Sequence, residues 1–384
     1  MAKQLPLKEW NPYITSVPTS NKLKQYWKGF DDMANKIKHP GTLKPGTTGN
    51  EILLILKQYG DYPEEKMKEL IPNKKPDTVR KAIRKLEDSG YVLRRKGIGG
   101  EIIVSLTRYT KEIFAVEHRK PSTSPKKLTR MGNIAVASMM FDKSQICSSK
   151  THEEFYETKE EILNANPGCE KILNVSRMTG VYHHYTEIIP VFKLGNSMYW
   201  TDHAERMVKE YMEQRIFHVP ITSALFFIDN YDEEAMKLLQ PDENAHRNFG
   251  SALRESLELS SCYQKVFLIT TNRIGINQLK LFRAFANIET LFLDAVFESD
   301  QRELVEESVI DGYIDGINCI VLFSGDIIRI KKICRILDAG MLNQVNIICY
   351  DFQEDFLRAA FSPWKDRVIY NSYSITELKE VFDF

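Results

Sequence analysis

Positively charged side chains crowd two short stretches near the start of the chain, and their types suit the binding of phosphate groups. The first stretch carries six cations between positions 74 and 85, and the second carries three in a row at positions 94 to 96. Each contact between such a cation and a phosphate releases counterions and makes binding depend on salt. The candidate contact residues are Lys74, Lys75, Thr78, Arg80, Lys81, Arg84, Lys85, Arg94, Arg95 and Lys96.

Three predicted helices and a hairpin position these cations. The sequence predicts short helices over 50–60 and 63–72, then a turn and a third helix with Asp77 as its N-cap and Gly90 as its stop. Two strands follow, over 91–98 and 101–108, joined by a glycine turn. A helix, a helix, a turn, a basic helix and a two-stranded ribbon, in this order, predict a winged helix-turn-helix domain.

The third helix separates its apolar and charged residues. Val79, Ala82, Ile83 and Leu86 share one face, which predicts burial against the first two helices, and the cations occupy the rest of the circumference. In this fold the third helix enters the major groove of DNA with its N-terminal residues near base edges. Those residues here are Lys75, Asp77, Thr78 and Lys81, while Arg94, Arg95 and Lys96 lead into the wing, which would meet the backbone.

Two plainer interpretations compete with contact to double-stranded DNA. Winged helices also serve as protein-interaction modules, and a lysine-rich helix face is often only a solvated surface. The sequence favours duplex DNA because the cations occur on both expected contact elements. It does not identify the bases that would be recognised.

The formal net charge of zero conceals a split between the two parts of the chain. Residues 1–150 hold 29 lysines and arginines against 15 acids, whereas residues 151–384 hold 23 against 37. A basic first part predicts an anionic partner for that part. The alternative is that the two parts attract each other.

The second part alternates strands and helices. Short apolar runs over 223–229, 265–270, 289–295, 318–324, 345–351 and 367–372 predict strands, with helices between most of them. Such alternation predicts a mostly parallel sheet with both faces covered. The predicted fold class is therefore α/β, with an N-terminal winged helix-turn-helix domain followed by a mostly parallel α/β domain. The predicted segments are a helical extension over 1–45 (with a helix over 20–38), the winged helix over 46–117, a basic linker and helix over 118–150 (the linker over 118–130), a mixed α+β segment over 151–221 and the α/β sheet over 222–384.

Residues that could catalyse a reaction are sparse. Asp229 ends a predicted strand and is followed by Asp232, Glu233 and Glu234, but no neighbouring strand carries the acid and lysine of a metal-dependent nuclease. His183 and His184 are adjacent on a predicted strand, so they point to opposite faces. His203, the Ser176–Arg177 pair, and the carboxylates Asp351, Glu354 and Asp355 after a predicted strand have plainer structural explanations. No phosphate-binding glycine loop occurs, so no cofactor is expected. Because these histidines and acids form no ligand set, no metal is expected either.

Several stretches resemble the replication-relaxation family of plasmid and integrative-element proteins. The resemblance covers residues 50 to about 290 and rests on the basic winged helix, on KKLTRMGNIAVASMMF, FYETKEEI and SRMTGVY, on a predicted acidic helix with a nearby tryptophan, and on the α/β tail. It implies a role in replication, or in relaxation and transfer, of a mobile element. It also implies a restriction-endonuclease-like core, which needs clustered carboxylates and a strand lysine that the sequence lacks.

These observations predict a cytoplasmic, sequence-specific binder of double-stranded DNA that acts as a non-catalytic accessory factor of a plasmid or mobile element. Its acidic α/β part would recruit a relaxase, a replication protein or another partner, or form a homodimer; no membrane contact is expected. A transcriptional regulator with a ligand- or peptide-sensing α/β domain is the first alternative. A metal-dependent nuclease is the second.

Overall fold

The structure is a computed structural model, and it describes residues 46–71, 73–116, 124–145, 153–156, 179–184, 187–193, 222–231, 263–284, 288–298, 301 and 309–382. The helix predicted over 20–38 lies outside the described residues. So do Ser176, Arg177, His203 and the acidic run over 232–234.

The N-terminal part contains the predicted helices and hairpin. Its elements are α1 (Thr47–Tyr59), β1 (Tyr62–Pro63), α2 (Glu64–Leu70), α3 (Pro76–Asp88), β2 (Val92–Lys96), β3 (Ile102–Leu106) and α4 (Arg108–Ile113). Helix α1 begins three residues earlier than the sequence predicted. Strand β3 lies between β1 and β2 in an antiparallel sheet, and the turn between β2 and β3 carries Gly99 and Gly100 at positive φ. Both glycines adopt a backbone conformation that other residues rarely tolerate.

Helix α3 begins at a proline rather than at the predicted aspartate cap. Pro76 is the first helical residue, where its missing N–H costs nothing, and Lys75 is the N-cap. The prediction that Asp77 caps this helix is therefore wrong, and Asp77 lies in the first turn. Val79, Ile83 and Leu86 are buried against α1 and α2, as their spacing predicted.

A long helix, α5 (Pro125–Lys143), connects the winged helix to the rest of the molecule. The sequence placed residues 125–130 in a linker, but they form its first turns, because Pro125 suits a helix start and the apolar spacing extends back to Leu128. Where α5 passes β1 and β3, a Cβ on Gly132 would lie 3.0 Å from Ile103 and 3.2 Å from Pro63. The absence of a side chain therefore permits the close approach.

The second part consists of two sheets with helices against them. Its strands are β4 (Glu153–Tyr156), β5 (Gly180–His184), β6 (Glu187–Lys193), β7 (Ser223–Ile228), β8 (Lys265–Thr270), β9 (Gly312–Ile314), β10 (Ile317–Val321), β11 (Val345–Tyr350) and β12 (Val368–Tyr373). Its described helices are α6 (Arg273–Ala284), α7 (Ile288–Val296), α8 (Ile327–Asp338), α9 (Glu354–Ala360) and α10 (Ile375–Val381).

Four of the seven strand pairings described in the two sheets are parallel, and the pairings of β4 with β5 and of β5 with β6 are antiparallel. The mixture of helices with partly parallel sheets agrees with the predicted α/β class. The five-stranded sheet has the order β4-β5-β6-β7-β8, with β6, β7 and β8 parallel. The four-stranded sheet has the order β12-β11-β10-β9, with β10, β11 and β12 parallel and β9 antiparallel. The predicted strand over 289–295 is wrong, because that segment is helix α7. Ile288 and Phe292 are four residues apart and share its buried face, so the helical period prevails.

The apolar core does not stop at the boundary of the winged helix. One cluster of buried side chains runs from Ile52 and Val79 of the winged helix through Val136 of α5 to Phe227 and Ile269 of the five-stranded sheet. A second cluster joins the opposite face of that sheet to the four-stranded sheet. None of the helices in the described part of the chain is both long and apolar enough to cross a bilayer.

Asp326 lies buried between the two sheets, where its carboxylate caps α8. Its Oδ1 accepts hydrogen bonds from the backbone amides of Val266 at 2.9 Å and Ile328 at 3.1 Å. Burial, together with the charge of Glu289, raises the pKa of Asp326 to about 6. The folded protein therefore holds this proton more tightly than the unfolded chain does.

We expect Asp326→Asn to remove a pH-dependent loss of stability. Since the folded pKa exceeds the unfolded one, the aspartate lowers the free energy of unfolding as pH rises from about 4 to about 6. Asparagine keeps an acceptor for both amides, so the variant should gain up to about 3 kcal/mol relative to wild type between about pH 4 and about pH 8. Urea unfolding at both pH values measures this gain, and an equal difference at the two would contradict it.

Candidate nucleic-acid interface

Helix α3 presents most of the predicted contact residues to solvent. Lys75, Thr78, Arg80, Lys81, Arg84 and Lys85 are exposed. Arg80 and Arg84 lie one turn apart, as do Lys81 and Lys85, so the four cations form two rows along the helix. Its apolar face is turned inward, and α3 therefore offers a cationic surface held by a packed helix.

The cations of this surface keep their charge available because their ion pairing is weak. The side chain of Arg80 donates to Asp77 at 3.2 Å, but both side chains are largely exposed, at 44% and 78%. Exposed pairs of this kind contribute little and are screened by salt. Like charges on neighbouring turns repel one another, and a polyanion would relieve that repulsion.

The two wing arginines are placed differently. Arg94 Nε donates to Glu64 Oε2 at 2.7 Å, and Arg94 also pairs with Glu87. Arg95 Nη2 donates to Ser105 Oγ at 2.5 Å and pairs with Asp61 at 3.3 Å. Glu64 is 4% exposed, and its carboxylate has two cationic partners, Arg94 and Lys68, whose Nζ lies 3.5 Å from Oε1. Arg94 thus connects β2 to α2 and α3, and Arg95 connects it to β3 and to Asp61.

Lys74 and Lys96 complete the predicted set. Lys74 is half-buried, and Lys96 is exposed at the end of β2. The structure therefore separates the ten candidates into an exposed group on α3 with Lys96, a half-buried Lys74, and two arginines paired within the winged helix.

The turn of the wing contacts α5. The backbone amide of Ile98 donates to Thr129 Oγ1 at 2.9 Å, and a Cβ on Gly97 would lie 2.4 Å from that oxygen. Glu101, the last residue of the turn, also hydrogen-bonds the side chain of Thr129. This turn is therefore anchored to the body of the molecule.

A cluster of charged side chains lies at the carboxyl end of the five-stranded sheet. Asp229, which follows β7, receives Lys193 Nζ from the end of β6 at 2.6 Å and Lys66 Nζ from α2 at 2.8 Å. Thr271, which follows β8, donates its hydroxyl to the same Oδ1 at 2.7 Å. Glu101 of the wing interacts electrostatically with Lys193, Asp229 and Lys66. We call Lys66, Glu101, Lys193 and Asp229 the strand-end cluster.

The pKa values of the two carboxyl groups in the strand-end cluster are shifted in opposite directions. Burial alone would raise the pKa of Asp229, but Lys193 and Lys66 together hold it far below its usual range. Burial raises the pKa of Glu101 despite the same two lysines, and the charge of Asp229 adds to that rise. Asp229 is therefore the ionised counter-charge of both lysines.

Among the described residues, the other carboxylates and histidines considered from the sequence form no metal site, and two of the carboxylates have local structural roles. Within the described ranges, no group of three histidine, cysteine or acidic side chains is placed to hold a metal ion. Asp229, the carboxylate that a nuclease would offer to a divalent ion, is engaged by two ammonium groups. Asp351 accepts from the amide of Phe352 at 2.7 Å in the turn after β11, and Glu354 pairs with Arg358 at 2.6 Å within helix α9.

The strand-end cluster was largely missed from the sequence, although Asp229 was noted. A lysine that ends the apolar run EIIPVFK was the available signal, because a cation at the end of a buried strand needs a partner. Lys66 gave no such signal, since it lies among glutamates in EEKMKEL. Only the packing of α2 against the sheet brings it to Asp229.

Comparisons with known proteins leave the family of this chain open. No protein-family model matches it, and no curated protein matches it. Two solved structures overlap part of it. A probable transcriptional regulator from Pseudomonas aeruginosa is 18% identical and overlaps 32% of this chain and 84% of its own, with a TM-score of 0.17. The organohalide-sensing transcriptional regulator RdhR, solved with 2,4-dichlorophenol, is 15% identical and overlaps 45% of this chain and 89% of its own, with a TM-score of 0.18.

We expect Arg94→Ala to lower the free energy of unfolding much more than Arg80→Ala does. Loss of Arg94 removes the shorter of the two ion pairs of the buried Glu64 carboxylate and leaves Lys68 at 3.5 Å, so the free energy of unfolding should fall by about 2 kcal/mol. Loss of the exposed Arg80 should change it by less than about 0.5 kcal/mol. Urea unfolding at neutral pH measures both, and equal losses would show that Arg94 contributes no more than a surface residue.

Proposed function

We propose that this protein binds double-stranded DNA in a sequence-specific manner through helix α3. The single observation that supports this most directly is the exposed cationic face of α3, whose opposite face is buried against α1 and α2. A helix held in this way, with side chains projecting outward near its start, has the geometry that reads the major groove in helix-turn-helix proteins. Lys75, Thr78 and Lys81 lie nearest the start of α3, where base contacts would occur.

The role of each element in this proposal differs. Arg80, Arg84 and Lys85 would contact phosphates and fix the position of the helix on the duplex, with Lys96 as the cation contributed by the wing. Arg94 and Arg95 would act indirectly, because their ion pairs hold β2 in place. Specificity would therefore arise from the first turns of α3, and affinity from the cations around it.

The biological setting that we propose is a plasmid or integrative mobile element, where the protein acts in replication, relaxation or transfer as a non-catalytic accessory factor. This rests on the resemblance in the sequence to the replication-relaxation family. The α/β part would contact a relaxase, a replication protein or a second copy of the chain.

A transcriptional regulator is the second candidate function, and one structural feature favours it. The core of the winged helix is continuous with that of the five-stranded sheet. Binding of a ligand or peptide to the α/β part would therefore be able to change the position of α3. Footprinting on the DNA of the source element distinguishes the two. Protection at an origin of replication or transfer supports an accessory factor, whereas protection over a promoter supports a regulator.

We expect simultaneous replacement of Arg80, Lys81 and Arg84 by alanine to weaken DNA binding and reduce its dependence on salt. Each phosphate contact contributes about 0.9 to the slope of the logarithm of affinity against the logarithm of salt, so loss of the Arg80 and Arg84 contacts should flatten the slope by about 1.8. A phosphate contact by Lys81 as well would bring the change to about 2.7. Fluorescence anisotropy with a labelled duplex over a salt series measures this change.

The matched control removes the same number of charges elsewhere. Lys332, Arg335 and Lys365 are exposed on or near the helices of the four-stranded sheet, and their replacement by alanine should leave the slope close to that of wild type. If both triple variants bind like wild type, α3 is not the contact surface. If both lose the same slope, binding follows net charge alone.

A further inference from the structure

Charged side chains of the winged helix reach the carboxyl edge of the five-stranded sheet. Lys193, Asp229 and Thr271 stand at the ends of the parallel strands β6, β7 and β8, which is where open α/β sheets bind their ligands. In this protein Lys66 of α2 and Glu101 of the wing reach this edge instead. Residues of the winged helix therefore occupy the place that a ligand takes in other α/β proteins.

Asp229 links the winged helix to the sheet because its partners come from both. Lys193 belongs to β6, whereas Lys66 belongs to α2, and each ammonium lies within 2.8 Å of the same carboxylate oxygen. Thr271 donates to that oxygen from the end of β8 and fixes its position. A single carboxylate thus joins three elements of the molecule.

Burial makes this link sensitive to the charge of Asp229. The side chains of Lys193 and Lys66 are only 4% and 9% exposed, so water screens them poorly, whereas Asp229 is 31% exposed and lies at the boundary with solvent. Removing one partner of a buried ion pair leaves an uncompensated charge, which is strongly unfavourable. Without Asp229, Glu101 would remain near the two lysines, but the carboxylate that bonds both of them directly would be lost.

The wing shares this arrangement. Glu101 interacts with the same two lysines, and Thr129 of α5 holds both Glu101 and the amide of Ile98. Any movement of Lys66 away from Lys193 would therefore disturb the wing turn as well as α2.

We propose that Asp229 is a positioning residue that holds α2 and the wing against the carboxyl edge of the five-stranded sheet by neutralising Lys66 and Lys193 together. The positioning itself is independent of the proposed function. Its consequence for DNA rests on that function, because α2 and the wing flank α3 and set its orientation relative to the α/β part.

Hydrogen exchange on the full chain, without DNA, tests the proposal. In Asp229→Ala, amide exchange over residues 64–68 and 97–103 should rise about tenfold or more, while strands β7 and β8 should change by less than about threefold. Asp355→Ala, which removes an exposed carboxylate from α9, is the matched control and should exchange like wild type.

Chemical rescue separates positioning by charge from a general loss of packing. Sodium formate supplies a small carboxylate that fits the space left in Asp229→Ala, and it should restore protection of both segments, whereas sodium chloride at the same ionic strength should not. If Asp229→Ala does not fold, Asp229→Asn keeps the side-chain shape without the charge and should show the same local rise.

Three results would overturn the proposal: unchanged exchange in both segments, an equal rise in β7 and β8, or equal rescue by chloride and formate. Because no DNA is present, none of them bears on the function of α3. Conversely, failure of the α3 variants to alter DNA binding would overturn the proposed function and leave the exchange result intact.

Discussion

The structure depends on one packing constraint, the burial of helix α5 on nearly every side over the stretch from Ala135 to Phe141. Seven consecutive residues, from Ala135 to Phe141, are buried, and a helix with no solvent-facing side needs neighbours all around it. The winged helix supplies them on one side, and β5, β6 and α6 supply them on the other. Phe141 stacks on Phe155 with ring centroids 4.1 Å apart, and Arg283 of α6 donates to its carbonyl oxygen. The cationic face of α3 is therefore one surface of a larger packed body.

Desolvation divides the cations of this protein into two classes with the same formal charge. On α3 they remain in water, where pairing is weak and the charge is available to a partner. Lys66 and Lys193 are buried and Arg94 is half-buried, and all three are paired with fixed carboxylates, those of Glu64 and Asp229. The basic character of the first 150 residues thus serves two purposes. Part of it forms a surface, and part of it fastens the winged helix internally and to the sheet.

The strand-end cluster connects the two candidate functions through one physical feature. In many α/β proteins the carboxyl edge of the parallel strands is open to a ligand, and here charged side chains of α2 and the wing reach it. An accessory factor would use this contact to keep α3 in a constant orientation relative to its protein partner. In a regulator, binding of a ligand or peptide to the α/β part would change the position of α3 through the same contact.

The sequence by itself determined those helices and strands whose apolar residues recur at the helical period over several turns or alternate along a strand. The amphipathic helix α3, the hairpin and most strands of the α/β part follow from such patterns, because burial of one face requires them. The short apolar run over 289–295 is compatible with a strand and with a helix, and the strand prediction was wrong. Packing against the surrounding elements determines which of the two forms. Likewise, the sequence showed that residues 74–96 are basic, but only the tertiary structure decided that Arg94 and Arg95 pair inside while Arg80 and Arg84 face water. The joining of Lys66 to Asp229 across more than 160 positions was also decided there, since charge compensation depends on distances in space that residue order does not encode.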